Sequence, residues 1–145
     1  MDNTKINNCK LITLQQINDG VDGIISVAEN NNQIPFDIKR VYCIYNLDNQ
    51  NAIRGQHSHK ALEQVIFCVN GNFTLSLDDG ENKKEIMLDN PNTGVYLGID
   101  LWHTMSNFSK DCVLLVLSSD FYDESDYIRD YDQFIKYVIN RNDSF

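Results

Sequence analysis

The sequence lacks the features that mark several large protein classes. No apolar run is long enough to cross a bilayer. The longest, Cys112-Val113-Leu114-Leu115-Val116-Leu117, falls far short of the roughly 20 residues a membrane helix needs. The opening Met1-Asp2-Asn3-Thr4-Lys5 has no apolar stretch of the kind that forms a secretory signal, so a cytoplasmic protein is expected. No repeat, low-complexity segment or linker divides the chain. At 145 residues, 42% hydrophobic and 23% charged, it is expected to form one domain over 1–145 with its own core. The four cysteines include no Cys-x-x-Cys pair. Cys43, Cys68 and Cys112 stand in apolar runs, where a free thiol packs as a small hydrophobe, so no disulfide framework is expected. A basic excess is missing too: the net charge of −9 argues against nucleic acid or an anionic membrane surface as partner.

The positive charge that exists is local. Lys39, Arg40, Arg54 and Lys60 flank a single segment, while acid dominates 120–132. A basic pocket in an acidic protein suits a small anion.

Short strands separated by turn signals run through most of the chain. Apolar, β-branched or alternating segments predict strands at 24–28, 41–45, 62–69, 73–77, 85–88, 94–97 and 113–118. Asn70-Gly71 and Asp78-Asp79-Gly80 are turn signals between them. Strands at about ten-residue spacing imply an antiparallel sandwich or barrel. Near the C-terminus the period changes. Tyr127, Tyr131, Phe134 and Val138 fall on one stripe of an amphipathic helix, with Asp123 or Ser125 as its cap, expected to lie on the barrel as a lid or brace.

The chemistry centres on histidine, of which there are only three. Two lie in Arg54-Gly55-Gln56-His57-Ser58-His59-Lys60, where strand alternation turns His57 and His59 to the same side. Interior imidazoles are costly unless they coordinate, hydrogen-bond or catalyse. His59 is expected to lead directly into the core strand carrying Val65, Phe67 and Val69. Arg54 is an always-charged fork suited to a phosphate group. Tyr45, at the end of its strand, is a candidate to touch the ligand. Tyr42 lies on the opposite face, so only one of the two tyrosines is expected in the pocket.

His57-x-His59, followed by Glu63, Gln64 and Asn70-Gly71, resembles the first motif of the cupin superfamily, with Gln64 in the usual glutamate slot. His103-x3-Asn107 resembles the end of the second motif. The fold so implied is all-β, a cupin-type jelly-roll antiparallel barrel with a C-terminal helix. A wider resemblance, to the dTDP-4-keto-6-deoxyglucose 3,4-ketoisomerases of deoxysugar biosynthesis for surface polysaccharide, rests on several stretches. They are Ile38-Lys39-Arg40-Val41-Tyr42, Arg54-Gly55-x-His57-x-His59-Lys60-x-Leu62-Glu63-Gln64, Leu77-Asp78-Asp79-Gly80, Trp102-His103 and the run from Ser119-Asp120 through Asp126-Tyr127-Ile128-Arg129. The resemblance implies His57 and His59 as catalytic residues, Arg54 on the nucleotide phosphates, a homodimer, and no metal or other cofactor. The substrate partner would be a nucleotide-linked keto-sugar. Neutral histidine suits such chemistry because its pKa lies near working pH, so it both accepts and returns a proton. His57 is assigned to C3, and His59 to the enolate oxygen or to C4. His103 is read as a supporting, substrate-binding residue. Other readings use the same residues: a metal-dependent cupin on His57, His59 and His103, a dTDP-sugar epimerase, or a non-catalytic sugar-binding cupin.

Overall fold

The computed structural model describes residues 5–143. Twelve strands and one helix are present: β1 (Cys9–Thr13), β2 (Gln15–Asn18), β3 (Ile24–Val27), β4 (Arg40–Ile44), β5 (Arg54–His59), β6 (Gln64–Asn70), β7 (Phe73–Asp78), β8 (Lys83–Leu88), β9 (Thr93–Leu97), β10 (Trp102–Ser106), β11 (Val113–Ser118), β12 (Tyr127–Ile128) and α1 (Tyr131–Asp143). They build two five-stranded antiparallel sheets, β1-β9-β6-β11-β4 and β12-β5-β10-β7-β8, with β2 and β3 as a separate hairpin. No ladder joins the edges of the two sheets among the described residues. The expected barrel is therefore an open jelly-roll sandwich.

Alternation explains the layers. Phe73, Leu75 and Leu77 of β7 are buried, while Thr74 and Ser76 between them are only partly covered. With Ile66, Cys68, Val95, Leu97, Met105, Leu114 and Val116 they fill the space between the sheets. Val65, Ile66, Phe67 and Cys68 are all buried because β6 is covered on both faces. Its outer face packs with Ile12, Leu14, Ile34, Phe36 and Leu117 in a second cluster. The close approach has a specific cost: a Cβ on Gly94 would lie 2.4 Å from the Phe67 ring. Cys68 and Cys112 are buried free thiols with sulfurs 3.7 Å apart, but Cys43 is exposed on the outer face of β4 and does not pack as a core hydrophobe.

Two expectations about element boundaries need correction. His59 does not run on into the core strand: β5 and β6 belong to different sheets, with a turn at 60–63 between them. The C-terminal helix starts later than its stripe implied. Asp130 caps it, its side chain accepting the Gln133 N–H at 2.9 Å and its carbonyl the Phe134 N–H at 2.9 Å. Asp123 instead caps a short 3₁₀ turn (Glu124–Asp126), and Tyr127 is a strand residue opposite His59. The three-and-four spacing held by coincidence of two different elements.

The helix braces the outside of the second sheet. Phe134 and Val138 pack with Ile128 and the flank of Trp102, whose ring centroid is 5.6 Å from that of Phe134. No helix of the described residues is long and apolar enough to cross a membrane. Phe134 is fully buried, so Phe134→Ala is expected to cost about 3–5 kcal/mol of stability, measured by urea unfolding. A loss under about 1 kcal/mol would mean that the helix is not braced through this ring.

Candidate active site

A cavity of about 360 Å³ opens between the sheets. Its wall comes from β4 (Arg40, Tyr42, Ile44), β5 (Arg54, Gly55, His57), β6 (Gln64, Ile66), β10 (His103, Met105) and the β12 region (Tyr127, Arg129), with Leu97 and Val116 beneath.

Arg54 and His57 both reach this wall although they are three residues apart, which in a regular strand would place them on opposite faces. A bulge resolves the conflict. Thr104 pairs with Gly55 and His103 with His57, so Gln56 has no partner across the ladder. Gly55 and Gln56 both adopt positive φ, +79° and +57°. Glycine is needed at the first of these positions: a Cβ there would lie 2.7 Å from the His103 carbonyl oxygen. The Gly55 carbonyl in turn accepts the Nδ1–H of His57 at 3.0 Å, which leaves Nε2 with the lone pair.

The three histidines meet here. Ring centroids are 4.9 Å apart for His57 and His59, 4.6 Å for His57 and His103, and 6.1 Å for His59 and His103. Tyr127 packs against the first two at 4.9 and 4.5 Å. His57 is half-buried on the cavity wall, whereas His59 and His103 are buried. His59 sets Nδ1 against the Asp126 carboxylate at 3.1 Å, and its Nε2 is buried without a partner.

Burial keeps all three rings neutral. It pushes His57 down from 6.5 to about 4, helped by the neighbouring His59, while the Gly55 carbonyl acts the other way. His59 is lowered by burial too, but Asp126 opposes the shift. His103 is held well below the usual histidine value by burial and by its two neighbours. Neutral imidazoles with a free ring nitrogen are bases ready to act.

Three guanidiniums ring the same cavity: Arg40, Arg54 and Arg129. Arg129 lies 4.2 Å over the Tyr127 ring and makes a two-point pair with Glu124 at 2.6 and 2.9 Å. Arg40 lies 5.1 Å over the Tyr42 ring, and its Nε is buried without a partner. Of the basic residues flanking the histidine motif, Lys39 instead faces Asp120 at 3.9 Å on the exposed surface, and Lys60 is exposed.

The structure places His57, His103 and Arg54 on the cavity wall, with His59 against the first two. Tyr45, expected to touch the ligand, does not belong with them. It is 64% exposed and belongs to a separate surface hollow with Cys43 and Leu47, because alternation along β4 turns Arg40, Tyr42 and Ile44 inward. Of the two tyrosines of this segment, Tyr42 is the one that faces the cavity. Gln64 donates to its oxygen at 3.0 Å and to Ser118 Oγ at 3.1 Å, which frees the Tyr42 hydroxyl proton to donate to a ligand. Burial raises the Tyr42 pKa and keeps that proton in place. Sequence reasoning named no site role for Tyr42, Gln64, Tyr127, Arg129 or Asp126. Gln64 and the run through Arg129 stood in recognised stretches, but nothing local tied them to the histidines.

One ring nitrogen from each of His57, His59 and His103 lies within 4.8 Å of the others, a trio that can be drawn onto one metal ion. The fourth position of the motif offers the neutral amide of Gln64, whose Nε2 donates to Tyr42 and Ser118, rather than a carboxylate.

Comparison with known proteins yields one consistent picture. Residues 7–139 match the family described as FdtA, WxcM-like, C-terminal. A curated relative from Aneurinibacillus thermoaerophilus, a TDP-4-oxo-6-deoxy-alpha-D-glucose-3,4-oxoisomerase, is 49% identical over 92% of this chain and 94% of its own. The sugar 3,4-ketoisomerase QdtA of Thermoanaerobacterium thermosaccharolyticum, solved with TDP, superposes with a TM-score of 0.90 at 42% identity over 94% of this chain and 98% of its own. A histidine-to-asparagine variant of that enzyme was solved with TDP-4-keto-6-deoxyglucose. WlaRB of Campylobacter jejuni, a TDP-quinovose 3,4-ketoisomerase, gives a TM-score of 0.86 at 46% identity over 90% of this chain and 99% of its own.

The depressed histidines make a prediction about pH. The folded state holds His57 below its unfolded value, so between about 6.5 and about 4 the unfolded chain binds the additional proton. Stability is therefore expected to fall as pH drops through that window. His57→Gln is expected to flatten the slope of unfolding free energy against pH, measured in urea. An unchanged slope would show that His57 titrates like an exposed histidine.

Proposed function

This chain belongs to the FdtA-type family of sugar 3,4-ketoisomerases, and from that premise we propose how its residues move the ketone of dTDP-4-keto-6-deoxyglucose from C4 to C3. The observation that carries the reading is the placement of His57, neutral and with a free Nε2, on a cavity wall shared with three arginines. Here His57 takes the C3 proton, which the adjacent carbonyl acidifies. The C–H electron pair becomes the C3–C4 double bond, and the C4 oxygen gains a proton, giving a cis-enediol. The C3 hydroxyl then gives up its proton as the C3 carbonyl forms, and C4 receives one from an imidazolium. The product is a dTDP-3-keto-6-deoxyhexose. Protons and electrons balance with no oxidant, reductant or cofactor.

Each wall residue has a part in this scheme. His59, packed edge-on against His57, serves the oxygen or C4. Tyr42 donates its hydroxyl proton to a sugar oxygen, a contact most valuable when that oxygen carries developing charge. His103 supports the pocket floor and sets the His57 backbone through the ladder. Arg54 at the exposed rim, with Arg40, takes the pyrophosphate. If a divalent ion were bound, His57, His59 and His103 would hold it and polarise a carbonyl. The reaction as written asks only for proton transfers, so a metal-free enzyme is proposed. The site lies in one domain and works in the cytoplasm on sugars destined for surface polysaccharide.

Incubation with dTDP-4-keto-6-deoxyglucose, with NMR of the product, is expected to show the 3-keto isomer at a rate unaffected by prolonged chelation. Activity lost to chelation and restored by iron, zinc or nickel would favour the metal-dependent reading. His57→Asn removes the proton acceptor and is expected to cost at least about 10²-fold in kcat while binding persists. Near-wild-type turnover would remove His57 from the mechanism. Arg54→Ala is expected to raise KM about ten- to a hundredfold with a smaller effect on kcat, and an unchanged KM would move the phosphates elsewhere.

A homodimer is part of the proposal. Edge strand β1 exposes Leu11, and the β2–β3 hairpin exposes Ile17, Val21, Ile24 and Ile25, apolar surface of the kind a partner subunit covers. Sedimentation equilibrium is expected to report a dimer, weakened by Ile25→Glu. A monomer at micromolar concentration would overturn this.

A further inference from the structure

We infer that Asp126 is a positioning residue of the reaction, holding His59 as the tautomer with its proton on Nδ1 so that the buried Nε2 is free to exchange a proton with the sugar oxygen or C4. The inference rests on the acid–base reading of the histidine pair.

The geometry sets Asp126 apart from an ordinary surface acid. It ends the 3₁₀ turn immediately before β12, and only 15% of its side chain is exposed. Oδ1 accepts the Ala61 N–H at 2.7 Å, while Oδ2 accepts the Leu62 N–H at 3.2 Å and faces His59 Nδ1 at 3.1 Å. The Asp126 carbonyl also accepts the Lys60 N–H at 3.0 Å. Backbone donors on the β5–β6 turn thus fix the carboxylate before His59 is considered, so its orientation does not depend on a free rotamer. A carboxylate oxygen can only accept, and the proton between the two groups therefore belongs to Nδ1. The remaining nitrogen, Nε2, is the buried atom without a partner. His57, by contrast, has only the neutral Gly55 carbonyl behind it.

Charge supports the same division of labour. When His59 takes a proton, the imidazolium is stabilised by Asp126 and opposed by burial and by the positive charges of Arg40 and Arg129. The rings of His57, His103 and Tyr127 complete its surroundings. Among the described residues Asp126 is the acid paired with the ring, so it sets how readily the proton is held and released.

Asp126→Asn is the test. With its oxygen held by the Ala61 N–H, the shorter backbone bond, the amide gives up the bond from the Leu62 N–H and presents its NH₂ group to His59 Nδ1. A donor there forces the His59 proton onto Nε2 and removes the lone pair. The expected result is a fall in kcat of about 10²–10⁴ with KM changed by less than about threefold. The ¹⁵N spectrum of His59 is expected to change from the Nδ1–H to the Nε2–H pattern. Residual activity is expected to show the acid limb of kcat/KM at lower pH, because the ring loses the carboxylate that favoured its protonation. A purely structural loss would scale that profile without moving it. Wild-type kcat, a KM effect alone, or an unchanged tautomer would each overturn the inference. If Asp126→Asn does not fold, the wild-type spectrum decides: Nδ1–H on His59 supports the inference, and Nε2–H sinks it. Active His59→Asn would instead defeat the underlying acid–base reading, whereas inactive His59→Asn beside active Asp126→Asn would defeat only this one.

Discussion

Holding buried imidazoles neutral is the constraint on which the rest of the site depends. A protonated histidine there would carry an uncompensated charge into a poorly solvated space, so burial drives all three below their usual range. Neutrality has a second requirement, because each ring still carries one N–H that must find an acceptor. The Gly55 carbonyl serves His57 and the Asp126 carboxylate serves His59. What is left over at each ring is a lone pair, the property that proton transfer requires.

Geometry then has to deliver those lone pairs to one place beside a cationic rim. The bulge at Gly55 and Gln56 does this within a single strand, setting Arg54 and His57 on the same wall. It works because residue 55 has no side chain to strike the His103 carbonyl. The same short stretch thus provides a guanidinium, a backbone acceptor and a neutral imidazole on one wall. Its opposing strand supplies His103 in direct register with His57.

The two sheets contribute differently. The second carries the histidines on β5 and β10 and is braced from outside by α1. The first presents Arg40, Tyr42 and Gln64 across the gap. Buried polar groups facing the cavity are satisfied mostly by one another, as Gln64 is by Tyr42 and Ser118. Among the described residues three buried side-chain atoms are left unpaired, Ser58 Oγ, His59 Nε2 and Arg40 Nε, and of these Arg40 belongs to the cavity wall.

Local patterns were legible from residue order alone. Strand alternation brought His57 and His59 to one side, turn chemistry marked the hairpins, and the switch of period announced a C-terminal helix. The same alternation showed that Tyr42 and Tyr45 could not both face inward, yet nothing local said which face was inside. That depended on the opposite sheet, whose β10 and β5 close the cavity over Tyr42. Tyr127 fitted a helical stripe by spacing but is held as a strand by its ladder with His59. Asp126 stands 67 residues from its histidine, and His103 meets His57 only through the pairing of β10 with β5. Residue order thus determined which segment holds the histidine pair and how neighbours in one strand are turned. The partners that set their tautomers and charge were decided by long-range pairing, because hydrogen bonds and desolvation act through space and not along the chain.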